Sequence, residues 1–166
     1  MSDLSFAASA AAAIAGAGID LRTGRIPNAL TASTAAAGLG LAAAGVTGTS
    51  LVAAAVGGTH GIALMMPGHL LGGTGAGDVK LMGALGTLVG PGAVVVMFLA
   101  SAIAGGVLAV GHAWRRGRMG VTVARTAQLA TGAAGSKVAV DAAAPLTRFA
   151  YGPAIAIGAV VAAFWR

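Results

Sequence analysis

From Ile26 to Gly77 the chain carries no Asp, Glu, Lys or Arg, and neither does the run from Leu81 to Trp114. Such runs leave little choice of fold. The sequence is 57% hydrophobic and 8% charged, where a soluble domain carries about 25% charged residues, so most of its apolar surface must face lipid. In lipid every backbone N–H and C=O has to be satisfied within the protein, which favours helices. Ala and Gly dominate, and small side chains let helices approach closely where no hydrophobic effect drives them together. The expected fold is all-α: one transmembrane domain over residues 1–166, a polytopic membrane protein of about six transmembrane helices.

The spans are expected at about 4–19, 29–46, 51–71, from Val79 to the Gly90-Pro91-Gly92 interruption, 93–113 and 147–165. Proline removes a backbone donor and the flanking glycines loosen the chain, so a tight turn is expected there. The first span resembles a signal peptide in its Ala-rich run, but only Asp3 precedes it. With no basic n-region, it reads as a retained helix whose N-terminus lies outside the cytoplasm. Residues 115–146 are the sizeable polar segment, a cytoplasmic loop in which Met119–Thr131 reads as a helix lying on the membrane surface.

Charge tests this topology. The loops it assigns to the cytoplasm hold Arg22, Arg25, Lys80, Arg115, Arg116, Arg118, Arg125, Lys137 and Arg148, nine of the ten Lys and Arg. That asymmetry fixes orientation. It also accounts for a net charge of +6 and a pI near 11.5 without a nucleic-acid partner. The absence of cysteine excludes disulfides and thiolate metal sites, and His60, His69 and His112 show no metal-binding spacing.

Against this background the acids stand out. The chain has four, Asp3, Asp20, Asp78 and Asp141, and no Glu. An ionisable group in a membrane span costs about 2.5–3.5 kcal/mol on insertion scales, so such residues usually serve a purpose. Helix counting puts Asp20, at the end of span one, and Asp78, between spans three and four, on the same side of the membrane. Two carboxylates a few ångströms apart share a proton, so one can activate water while the other protonates a carbonyl. Gly75 and Gly77 would let a substrate backbone approach and give Asp78 latitude. Plainer roles stand beside this one: Asp20 pairing with Arg22 or Arg25, Asp78 capping the next helix, Lys80 snorkelling to the interface.

Asp20-Leu21-Arg22-Thr23-Gly24-Arg25-Ile26-Pro27-Asn28 resembles the first signature of the type IV prepilin peptidases, and Gly75-Ala76-Gly77-Asp78-Val79-Lys80-Leu81 resembles their Gly-x-Gly-Asp signature. Tyr151-Gly152-Pro153-Ala154 resembles a weaker feature at the start of their last helix. The resemblance implies that Asp20 and Asp78 are the catalytic pair of an intramembrane aspartic protease. Gly75, Gly77, Lys80, Arg25, Pro27 and Asn28 would then shape the loops or meet the substrate. It also implies a prepilin or pilin-like partner, cleavage at the cytoplasmic face of the inner membrane, and no metal or organic cofactor. The longer family members carry paired Cys-x-x-Cys motifs and also methylate the new N-terminus. This chain lacks those motifs, so methyltransferase activity is not expected. The compact form looks like the short peptidases of tight-adherence (Flp-type) pili, with the archaeal preflagellin peptidases a second match. A proton-coupled transporter and a non-catalytic pilus-assembly component remain as competing classes.

Overall fold

A computed structural model describes residues 3–115 and 151–164, and all regular structure among them is helical. The helices are α1 (Asp3–Thr23), α2 (Asn28–Ala43), α3 (Leu51–Leu70), α4 (Ala76–Arg115) and α5 (Gly152–Phe164). Three of the described stretches, Asp3–Thr23, Leu51–Leu70 and Ala76–Gly111, are long and apolar enough to cross a membrane. The cytoplasmic loop expected at 115–146 and its surface helix at Met119–Thr131 fall beyond the described residues, apart from Arg115 at the end of α4. The chain divides into a unit of residues 1–105 with 150–166 and a unit of residues 106–149; everything below concerns the first.

The expected interruption in α4 is present as a break in backbone geometry. Gly90 adopts φ 73° and ψ 178°, a conformation closed to residues with a Cβ, and Pro91 begins the next helical limb. The break reverses the chain. A straight helix would hold Asp78 and Ser101 about 35 Å apart at 1.5 Å per residue. Yet Tyr151 donates to the Ser101 carbonyl at 3.1 Å and lies within electrostatic reach of Asp78. Within the first unit, the two limbs, 76–89 and 91–105, therefore leave the level of Asp78 and return to it.

Several boundaries differ from the sequence expectation: α2 ends at Ala43 rather than near 46, α5 begins at Gly152 rather than near 147, and two more bear on the site. Helix α1 runs past Asp20 to Thr23, and Gly24, at φ 64°, closes it with its N–H on the Asp20 carbonyl at 2.8 Å. Helix α4 begins at Ala76, inside the glycine-rich stretch, because the Asp78 side chain caps it.

The core is packed from small residues. Gly57 of α3 and Gly86 of α4 lie backbone against backbone, so a Cβ on either would collide with the other helix. Helix α5 lies along α1 through Gly152, and Gly158 fits against Met97 and Ser101 of the second limb. The fully buried larger side chains include Leu81, Met82, Leu85, Val89, Val94, Met97 and Ile155, most of them from α4. That helix is the centre of the fold.

Candidate active site

Gly16 of α1 faces Leu81 of α4, where a Cβ would come within 3.0 Å of the leucine Cδ2. From this contact Asp20 lies one turn further along α1, and Asp78 lies three residues back along α4. Because α1 ends where α4 begins, both displacements point the same way, so the two acids share one level. Both are buried, with Asp20 7% and Asp78 6% exposed, and the carboxylates lie within electrostatic reach of one another.

Each carboxylate is held by the N-terminus of a helix. The Gly75 N–H donates to Asp78 Oδ2 at 2.8 Å, and the Asp78 N–H donates to the Gly75 carbonyl at 3.1 Å. This is half of a capping box, with Gly75 as N-cap and Asp78 in the position that reaches back. The Gly152 N–H, the first of α5, donates to Asp20 Oδ2 at 3.1 Å. An unsatisfied N–H at a helix start carries partial positive charge and favours a carboxylate. A Cβ on Gly152 would fall 3.0 Å from the Asp20 Cβ and Oδ2 and 3.1 Å from the Ala17 Cα, so a side chain there would have to push the two helices apart by a few tenths of an ångström.

The two sequence signatures are docked on each other. Ile26, buried, sits on Gly77, where a Cβ would meet the Ile26 Cβ at 3.1 Å. The Lys80 ammonium donates to Asn28 Oδ1 at 3.0 Å. Pro27 is the N-cap of α2, with φ −65° and ψ 138°, and turns the chain from Ile26 into that helix. On the other flank, the His69 Nδ1 lies 3.0 Å from the Thr74 carbonyl. A carbonyl only accepts, so Nδ1 carries the proton, and the ring ties the end of α3 to the segment before Asp78. His69 also lies within electrostatic reach of Asp78.

An open groove of about 530 Å³ runs between α2, α3 and the first limb of α4, with Asn28 and Lys80 at its edge and Ala35, Gly58 and Gly83 among its walls. Its lining holds no carboxylate and no histidine, so Asp20, Asp78 and His69 stand outside it.

The profile of the type IV leader peptidase family matches residues 7–110, more than half of the chain. The chain belongs to that family. No curated protein and no solved structure matches it at a significant level. A leader peptidase is a protease, and the family implies a pilin-like substrate. The matched stretch holds both aspartates and ends before α5.

Of the residues singled out in the sequence, Asp20, Asp78, Gly75, Gly77, Lys80, Pro27 and Asn28 come together around this level of the leader peptidase fold. Arg22 and Arg25 are exposed, and neither forms an ion pair with Asp20 or Asp78. The expectation for Gly77 is corrected. It belongs to the first turn of α4, not to a yielding loop, and its missing Cβ makes room for Ile26. Gly75 likewise keeps ordinary backbone geometry; among the glycines from 72 to 77, only Gly72 has a positive φ, 75°. The sequence reading passed over the Gly152 N–H as a site group. Its one signal was the Gly-Pro pair opening an apolar run, which marks a helix start and therefore free N–H groups.

Proposed function

We propose that this chain is an intramembrane aspartic endopeptidase that removes the leader of a type IV, Flp-like prepilin, with Asp20 and Asp78 as its catalytic pair. One observation carries the reading. A leader peptidase holds two buried carboxylates from α1 and α4 within electrostatic reach, each on a backbone N–H.

The pair shares one proton, which belongs to both residues rather than to either. The ionised carboxylate takes a proton from water as the oxygen adds to the scissile carbonyl. The protonated partner gives its proton to the carbonyl oxygen. When the adduct collapses, the C–N bond breaks, the leaving amine takes the proton that the base had gained, and the other carboxylate takes back a proton from a hydroxyl of the adduct, which restores the shared proton. Substrate backbone must be unwound at the cut, since helical carbonyls are already engaged and shielded. Nothing in this sequence of steps calls for a metal or organic cofactor. In this reading six helical segments cross the inner membrane, counting the limbs of α4 separately. The N-terminus then lies outside, and the aspartates face the cytoplasm beside Arg22, Arg25 and Lys80.

A proton-coupled transporter would place its acid near mid-span among discontinuous helices. Asp20 lies in the last turns of α1 and Asp78 in the first turn of α4, which favours hydrolysis over transport. The test is co-expression with a prepilin, following the mass of the leader-bearing chain. Wild-type protein is expected to shorten the prepilin and leave its hydrophobic helix intact, whereas Asp20→Asn and Asp78→Asn leave it uncut. Normal processing by both variants would end the assignment.

A further inference from the structure

We propose that Tyr151 is a positioning residue for Asp20, acting by fixing the start of α5 against the second limb of α4. This rests on the reading of Asp20 as a member of the catalytic pair.

Tyr151 joins two helices. Its backbone carbonyl accepts from the Ala154 and Ile155 N–H groups at 3.0 and 3.2 Å, so Tyr151 forms the N-cap of α5. The adjacent N–H, from Gly152, is the one that Asp20 accepts. The side chain goes the other way. The phenol donates to the Ser101 carbonyl at 3.1 Å, and the ring lies on Gly105, where a Cβ would come within 2.5 Å of the ring carbon Cε2. Ser101 in turn donates to the Met97 carbonyl at 2.7 Å, inside a limb packed on Gly158 of α5.

Tyr151 thus joins the start of α5, and with it the Gly152 N–H that Asp20 accepts, to the second limb of α4. On the α1 side, Gly152 meets Asp20 and Ala17 closely enough to limit how near α5 can come, and the Gly152–Asp20 bond is the one whose line has to be kept. Tyr151 ties that start to the second limb of α4, through a hydrogen bond to a backbone that also packs on Gly158 further along α5. Small movements matter here, because an N–H···O bond of 3.1 Å is nearly lost by about 3.6 Å. The phenol also lies within electrostatic reach of Asp78, so both aspartates and Tyr151 occupy one neighbourhood.

The experiment compares wild type, Tyr151→Phe and Gly105→Ala in lipid nanodiscs with two readouts. The first is steady-state cleavage of a prepilin. The second needs no turnover: carbodiimide modification of each aspartate, located by mass spectrometry. Tyr151→Phe deletes only the hydroxyl and is the variant expected to fold without difficulty; Gly105→Ala displaces the ring. Both are expected to lower kcat by about three- to tenfold with KM unchanged, the scale of one lost hydrogen bond. Both are also expected to raise modification at Asp20 several-fold while leaving Asp78 as in wild type. Equal rises at the two aspartates would mean general loosening and overturn the proposal, as would unchanged Asp20 reactivity in Tyr151→Phe. Failure of wild-type protein to cut prepilin would defeat the peptidase reading instead, and the modification pattern would still report on Tyr151.

Discussion

Gly152→Ala puts the smallest possible change at the junction of α1 and α5. The new Cβ would sit 3.0 Å from the Asp20 Cβ and Oδ2 and 3.1 Å from the Ala17 Cα. Ordinary carbon contacts begin near 3.5 Å, so about 0.5 Å has to be found. Ala17 contributes backbone and cannot rotate aside, so α5 backs away from α1. The Gly152–Asp20 bond, 3.1 Å long, then stretches toward the length at which it ceases to count. A hydrogen bond to a charged group contributes about 1.5–3 kcal/mol, and each 1.4 kcal/mol is about a factor of ten in rate. The expected loss in kcat/KM is therefore about ten- to a hundredfold. The assay is leader cleavage in nanodiscs at equal folded concentration, checked by gel filtration. Wild-type cleavage by Gly152→Ala would refute the claim that the start of α5 holds Asp20. Loss of folded protein without loss of specific activity would reduce the contact to packing.

Two further glycine contrasts follow. Gly77→Ala, forced against Ile26, is expected to destabilise by about 1–3 kcal/mol as overpacking does. Gly18→Ala, exposed in α1 with nothing within 4 Å of its Cβ, is expected to stabilise by about 0.5–1 kcal/mol, because alanine is the better helix former. Reversible unfolding in mixed micelles reads both, and the same sign for the two would contradict the packing of the signatures. Gly90→Ala must hold a Cβ at φ 73° and is expected to cost about 1–2 kcal/mol. Gly92→Ala, two residues on and open to space, is expected to behave as wild type. A fully tolerated Gly90→Ala would argue against the reversal of α4 at that residue.

The convergence of Asp20 and Asp78 was legible because it depends on counting. Two helices, α2 and α3, separate the end of α1 from the start of α4 along an up-and-down path, and an acid at each end arrives on the same side. The break at Gly90 was legible too, since Gly-Pro-Gly within an apolar run has few other uses. The extension of α1 to Thr23 was not, because Leu21-Arg22-Thr23 reads as the start of a polar loop. Only the left-handed Gly24 reveals that the helix keeps its last turn.

The glycines of the second signature show where sequence reading runs out. A glycine is selected for a positive φ, which is a local demand, or for a missing Cβ, which is a demand made by a distant neighbour. Nothing in the letters separates the two. Gly72 and Gly90 answer the first demand; Gly77, Gly105 and Gly152 answer the second, facing Ile26, Tyr151 and Asp20. Reading Gly77 as part of a yielding loop therefore missed the neighbour it faces. Its missing Cβ lets Ile26 pack on α4 and brings the Arg25-Ile26-Pro27-Asn28 segment beside Asp78. The same logic explains why the contact of α5 with Asp20, though not the helix itself, was hardest to foresee. Its hold on Asp20 is a backbone N–H exposed by the absence of a side chain, and a contact made of two absences leaves almost no trace in sequence.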